Sequence, residues 1–446
     1  MSTLGRRLRG RSFRAYAFRR GTTLSLITCA AVAISGCGLG GGSDDPVDVS
    51  GDIEGTITFQ TLQLSPTFDD YINGVIADFE ATNPGTTVEW TDIPSDSAAR
   101  KTSADAVAGT LPDVMDLDTA TLAPLGRQSL VIDMAAEASD VRDDFVESAW
   151  NSFAFGPTEV AALPWYLNTP VLIVNTAIVA EAGLAEQPAP ASYQELLEVS
   201  EVIVSETGVA GFQPTEIGMP NFLLSLGVPL VTEDETAAVV DTPEAVQFVA
   251  TLAELYDSGG IPTDSVTARQ RSEIETFQEG QTAYLEAGGS RLGIIEENAP
   301  EVFETLAVDK PLGDAASTTW VVAHGVAVPK SSENQATALA FATFLTSAEN
   351  QLALAQQSSV FPSTLASLED PFFAAAGDDL TTAAREIAAA SLREGKTVVK
   401  PAAVDTEYTA ALWSAIQPAI LGEVTAEEAL ANAETELTSI LEERQQ

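Results

Sequence analysis

Residues 55–62, GTITFQTL, alternate apolar and polar positions, with Ile57 and Phe59 on one face. That period of two predicts a half-buried strand. Phe68, Tyr71, Ile72, Val75, Ile76 and Phe79 then recur at helical spacing until Asn83-Pro84-Gly85 stops the pattern. TTVEWTDI, residues 86–93, alternates again through Val88 and Trp90. Strand, helix and strand in so short a span predict a βαβ unit, and with it a parallel sheet and a right-handed crossover. LPDVMDLD (111–118) reads as a buried strand ending in carboxylates, and PVLIV (170–174) as a strand covered on both faces. Ser192 with Glu195 forms a capping box that opens YQELLEVSEVI. Thr242 as N-cap with Pro243 at the first helical position opens another helix, through Phe248, Leu252 and Leu255 to Gly259-Gly260. VVAHGVAV (321–328) predicts a strand and residues 334–345 a helix. Thr425 and Glu428 make a second capping box, with Leu430, Ala433, Leu437 and Leu441 on one face of the last helix. The chain is α/β throughout.

The amino end follows a different rule. Arg6, Arg7, Arg9, Arg11, Arg14, Arg19 and Arg20 form a basic stretch without an acidic residue, and Leu24 to Ile34 is a short apolar run. That run is too short to span a bilayer comfortably and reads as the core of a removed signal peptide. Ile34-Ser35-Gly36-Cys37 follows and resembles the lipobox of bacterial lipoproteins. The resemblance implies a signal peptide over 1–36 and lipidation of Cys37. Acyl chains there would anchor the chain to the outer, extracytoplasmic face of the cell membrane. Residues 37–52, rich in Gly, Ser and Asp, read as lipidated cysteine and flexible tether. Arg19-Arg20 is not followed by a full twin-arginine motif. The second cysteine, Cys29, lies inside the expected signal, so the remaining chain holds no pair for a disulfide and no cysteine zinc site.

About 395 residues then remain, more than one hydrophobic core usually serves, and two lobes are expected. The chain carries 21 Lys and Arg against 65 Asp and Glu, a formal net charge of −44, and the seven arginines of the signal leave with it. Such a surface repels nucleic acid and anionic headgroups, so no nucleic-acid partner is expected. It also fits a salty medium, where screening relieves self-repulsion. Stability that fails to rise with salt would argue against that reading.

Catalytic chemistry is poorly supplied. No GxGxxG or Walker sequence follows the first strand. His324, the one histidine, sits in a glycine-flanked apolar strand and reads as a structural residue; no metal, cofactor or catalytic residue is expected. No GxSxG elbow accompanies it. A carboxylate-pair glycosidase stays open, since acidic residues are everywhere. Trp165-Tyr166, Trp320, Tyr408 and Trp413 lie at strand ends or in the last helices. Flat rings beside carboxylates and amides suit sugar rings, although core packing explains each ring taken alone.

Several stretches together resemble one family. GTITFQTLQLSP, AGTLPDVMDLD (108–118), ALPWYLNTPVLIVNTAIVAEAGL (162–184), TFQEGQTAYLEAGG (276–289) and HGVAVPKSSENQATALAFATFLTSAENQ (324–351) look, in that order, like the extracellular solute-binding proteins of bacterial ABC importers. The likeness is to the sugar-binding group that includes maltose-binding protein. The usual Tyr-Asn is Val174-Asn175 here, the Met of the Phe-x-x-Gly-x-x-Ala-Met box is Tyr284, and a Trp common after it is replaced near Ser290-Arg291. The resemblance implies a two-lobe, type II periplasmic-binding-protein-like fold with the ligand in the cleft. It divides the chain into a first lobe of 53–165 plus 320–362 and a second of 166–318 plus 363–446. It implies ligand contacts at Gln63, Ser65, Asp118, Thr119, Trp165, Tyr166, Asn168, Asn221, Arg291 and Tyr408, with Tyr408 as a stacking ring. The implied function is a monomeric carbohydrate receptor that serves a membrane permease. A secreted glycoside hydrolase and a receptor for a non-sugar small molecule are the alternatives. Clustered Arg and Lys are scarce near the cleft segments, Arg100-Lys101 and Arg291 aside, so a neutral or cationic ligand is expected.

Overall fold

The computed structural model describes residues 47–156, 158–266, 272–313, 319–374, 379–394, 397–398, 400–401 and 403–444. The expected signal peptide and Cys37 lie outside them. Residues 47–50, read from sequence as part of a flexible tether, are instead docked. Asp48 N donates to Gln335 Oε1 at 2.7 Å, and Val47 and Val49 pack against the first core.

The first sheet is built as its alternation predicts. Strands β1 (Gly55–Leu62), β2 (Thr86–Ile93) and β3 (Val114–Asp118) run parallel, joined through α1 (Asp69–Thr82) and α2 (Ala98–Ala108). β4 (Leu163–Asn168) lies further along the same sheet. The chain then enters a second sheet with β5 (Val171–Asn175). Two hairpin strands follow, β6 (Leu230–Val231) and β7 (Ala238–Val239), and then β8 (Tyr284–Ala287) and β9 (Leu306–Asp309). After β10 (Thr319–Trp320) the chain returns to the first sheet with β11 (Val322–Ala327) and β12 (Phe361–Pro362); β13 (Thr397–Val398) pairs with β10. The first sheet has the order β12-β4-β11-β3-β1-β2 and the second β8-β5-β9. β11 is antiparallel to both β3 and β4, so β1 to β4 all point one way and their carboxyl ends share an edge.

The expected change of lobe after residue 165 falls inside β4, which runs on to Asn168; the chain leaves the sheet at Thr169-Pro170. The residues just after 363 also stay with the first core, through Leu368 and Phe373.

Two cores result. The first covers the six-stranded sheet, where Phe341 of helix Gln335–Leu345 meets Phe59 and Phe79 edge-on at 5.2 and 5.1 Å. Such pairs add about 1 kcal/mol each beyond their burial. The second holds Tyr193, Phe222, Phe248, Trp413 and the apolar face of the last helix. β5 divides its side chains between them. Val171 and Ile173 face the first core, and Leu172 and Val174 the second, as a continuous apolar run should. The helix starts read from sequence are present. Ser192, Thr242 and Thr425 each accept a backbone N–H three residues on, from Glu195, Ala245 and Glu428. The Glu195 carboxylate reaches back one residue further than a regular capping box, to Ala191 N at 2.8 Å.

Candidate functional site

In open α/β sheets, ligands sit beyond the carboxyl ends of the strands. Here that edge carries Gln63 after β1, Asp92 near the end of β2, Asp118 ending β3 and Asn168 ending β4. Gln63, Ser65, Trp90, Asp92 and Pro94 line an open hollow of about 790 Å³. Its shape is held from below. Thr61 Oγ1 donates to Asp92 Oδ1 at 2.6 Å, Leu64 N donates to the same oxygen at 3.0 Å, and Trp90 Nε1 donates to Thr61 Oγ1 at 2.8 Å. Gln63 turns the chain away from the sheet with φ of 54°, in the left-handed region that costs a non-glycine residue energy. Trp90 is half-buried, its indole nitrogen satisfied and its ring on the wall of the hollow.

Trp90 and Asp92 are two apart on one strand and therefore share a face. Thr61 opposes Asp92, and His324 opposes both Asp118 and Tyr166. A polar row thus crosses the sheet just inside its edge. At its centre His324 Nδ1 lies 3.0 Å from Asp116 Oδ1 and 2.8 Å from the Tyr166 hydroxyl, with the two rings stacked at 4.5 Å. One ring nitrogen cannot both donate to Asp116 and accept from Tyr166, and Asp116 is fully buried. The consistent assignment has Nδ1–H and the Tyr166 hydroxyl both turned toward Asp116. Burial opposes a charge on His324, but Asp116 and then Asp118 outweigh it and raise its pKa. Burial and then the same two carboxylates hold the Tyr166 hydroxyl well above its ordinary range. Gly325 makes this placement possible. A β-bulge lies between His324 and Gly325 against β4, and a Cβ at Gly325 would meet the Phe153 ring at 2.7 Å and Ala162 at 2.9 Å.

The second lobe contributes a different cluster. The Glu286 carboxylate, at the third position of β8, accepts from the Tyr193 hydroxyl, from Trp320 Nε1 at 3.3 Å and from Leu312 N at 2.9 Å. Burial pushes its pKa up to about 7, against the pull of those three donors. Trp320 stands at the crossing between the sheets, where its carbonyl accepts from Thr169 Oγ1 at 3.2 Å on the other crossing segment. Lys400 also belongs to this side. Burial lowers its pKa, while Asp405 and, from the first lobe, Asp118 act in the opposite sense.

The residues expected from sequence divide accordingly. Gln63 and Ser65 line the hollow. Asp118 caps the next helix, its Oδ1 accepting from Thr121 N at 2.7 Å, with Thr119 beside it. Tyr166 belongs to the His324 cluster, and Asn168 is exposed at the crossing. Asn221 is partly buried on the short helix Met219–Ser225, and Arg291 is exposed at the start of another; nothing brings these two to the hollow. Two expectations need correction. Trp165 is 0 % exposed, packed at 6.3 Å from Phe59, and Tyr408 is 0 % exposed, its hydroxyl donating to Leu230 O at 2.7 Å inside the second core. Neither ring has a face open to a ligand. Trp90, Asp92, Glu286 and Lys400 were not singled out from sequence, although WTD carries a usable signal: a ring and a carboxylate two apart at a strand end.

Among the described residues no group of three or more His, Cys, Asp or Glu could hold a metal ion. Nor is any helix among them long and apolar enough to cross a membrane.

Comparison with known proteins gives consistent findings. A family profile described as bacterial extracellular solute-binding protein matches residues 65–352. The sn-glycerol-3-phosphate-binding periplasmic protein of Shigella flexneri is 27% identical over 198 residues, which is 42% of this chain and 44% of that protein. A solved structure from Synechococcus sp. MITs9220, assigned as an oligosaccharide periplasmic-binding protein, superposes with a TM-score of 0.78 at 27% identity, over 87% of this chain and 99% of that one. The cyclic alpha-maltosyl-1,6-maltose binding protein of Arthrobacter globiformis gives 0.71 at 20% identity, over 87% and 100%. The fold they share is the two-lobe, type II arrangement of periplasmic sugar-binding proteins.

Proposed function

Because this chain belongs to the bacterial extracellular solute-binding proteins, we propose that it captures a neutral carbohydrate between its lobes and delivers it unaltered to the permease of an ABC importer. Lobe closure is a hinge motion about the Asn168–Val171 and Trp320–Val322 crossings. A lipid on Cys37 holds the receptor on the outer face of the membrane. The observation that carries the reading is the hollow at the strand ends. It offers one flat ring, Trp90, beside a carboxylate, an amide and a hydroxyl, Asp92, Gln63 and Ser65. Its volume of about 790 Å³ suits a mono- or oligosaccharide, since small-molecule sites span roughly 300–1,000 Å³. Asp92 Oδ1 is occupied by Thr61 and Leu64, and its second oxygen serves a sugar hydroxyl. The reading leaves no covalent step for the protein to perform.

A phosphate ester is the second reading, because the Shigella flexneri relative binds sn-glycerol-3-phosphate. A phosphate calls for Arg or Lys, and the hollow is lined by a carboxylate instead. A thermal-unfolding screen of the full chain against mono- and oligosaccharides, with glycerol 3-phosphate alongside, separates the two. A sugar at a hundred times its Kd adds about 2.7 kcal/mol of stability. Trp90→Ala abolishes that gain, and chromatography recovers the sugar intact. A gain from glycerol 3-phosphate alone, a gain unaffected by Trp90→Ala, or release of a cleaved product overturns the proposal.

A further inference from the structure

Of the ion pairs between described residues, Arg127 with Glu235 is the one that joins the two lobes, Nη1 to Oε2 at 2.7 Å. We infer that these two side chains are positioning residues for solute capture: an ionic latch that favours the relative position of the lobes seen here. The inference rests on the capture reading above.

Both partners are presented by rigid backbone. Arg127 ends α3 (Thr119–Arg127), where a cation also meets the negative end of the helix dipole. That helix starts at Asp118, on the carboxyl edge of the first sheet. Glu235 lies in the turn between β6 and β7, with φ of 53°. The turn is tied internally: Thr232 Oγ1 and Thr236 N both donate to Asp234 Oδ1, at 2.6 and 3.3 Å. The hairpin is tied to the second core. Leu230, Val231 and Ala238 are buried, Ala238 N donates to Thr438 Oγ1, and Val240 N and Asp241 N donate to Glu434 Oε2. A donor on a helix end and an acceptor in a pinned turn meet only when the lobes take one relative position.

The sign of this contact matters. With 21 Lys and Arg against 65 Asp and Glu, two acidic lobes repel each other as they approach, and a cross-lobe cation acts against that repulsion. The pair is solvent-exposed, so its effect is modest: roughly two- to five-fold in the ratio of latched to unlatched molecules.

The test needs no solute. Spin labels are placed at Val107→Cys on α2 and Ile217→Cys in the second lobe, positions 92 % and 82 % exposed, in the full chain carrying Cys29→Ser and Cys37→Ser. Pulsed dipolar spectroscopy at low ionic strength then reads the distance between labels. Arg127→Ala and Glu235→Ala are each expected to raise the population outside the parent's main distance peak two- to five-fold. The reversed pair, Arg127→Glu with Glu235→Arg, restores the parent distribution, and 1 M salt erases the difference between Arg127→Ala and parent. Single variants that match the parent, or a reversed pair that departs from it as far as the singles do, overturn the latch. Because the readout is taken without sugar, a failed latch is distinguishable from a failed capture reading, which the sugar screen tests separately.

Discussion

Two polar clusters flank the crossing between the lobes, and they manage buried charge in opposite ways. On the first-lobe side Asp116 is fully buried but faces His324 at 3.0 Å, an ion pair whenever the imidazole is protonated. On the second-lobe side Glu286 meets three donors and, among the described residues, no cation, and burial lifts its pKa to about 7. An opposite charge nearby favours the charged form of a buried group, whereas burial among neutral donors leaves it poised to take up a proton. The Glu286 cluster also holds Trp320 at the hinge, while the His324 cluster lies within a single sheet.

The largest expected effect comes from breaking the compensated side. Asp116→Ala leaves His324 without its counter-charge and is expected to cost about 3 kcal/mol in chemical unfolding at pH 6. A loss under 1 kcal/mol would show that the pairing contributes little. Next comes the uncompensated side, with the opposite sign. Glu286→Gln removes a charge that the fold disfavours and is expected to stabilise the protein at pH 8 by about 1–3 kcal/mol, with no gain at pH 4. The pH profile sharpens the contrast. Glu286 is protonated in both folded and unfolded chains below about pH 4.5, so stability falls as pH rises from there to about 7 and then levels off. His324 has a raised pKa, so its contribution is fully present below about pH 6.5 and is lost as pH rises through the folded value. Glu286→Gln should flatten the lower window and His324→Gln the upper one; a single variant that flattens both would merge the clusters into one titrating unit. The smallest effect is Tyr166→Phe, which removes one hydroxyl hydrogen bond at about 1 kcal/mol and leaves the stacked ring in place.

Legibility in the sequence followed chemistry that acts locally. β1 and β2 were bounded to the residue, because alternation and the Asn83-Pro84-Gly85 stop both act within a few positions. The helix starts at Ser192, Thr242 and Thr425 were equally readable, since an N-cap needs only its own hydroxyl and the third N–H beyond it. Gln63 and Ser65, expected from the resemblance alone, line the hollow because they sit in the loop that leaves β1 at its carboxyl end. Trp90 was missed because a ring in an alternating strand fits the core pattern, and only its place on the wall of the hollow, with its indole N–H donating to Thr61 Oγ1, shows it at the rim. Tyr408 and Trp165 failed for the converse reason. Which way a ring points depends on elements far along the chain, such as Leu230, whose carbonyl takes the Tyr408 proton. Glu286 was invisible among so many acidic residues, because its burial depends on Tyr193, Trp320 and Leu312 arriving from three separate segments.

The docking of residues 47–50 on the helix Gln335–Leu345 decides which lobe the amino-terminal segment is attached to. The chain joins the folded body on the first lobe, ahead of β1. A restraint on the amino end would therefore act on that lobe first, and reach the half that carries Glu235 and Lys400 only through the crossings.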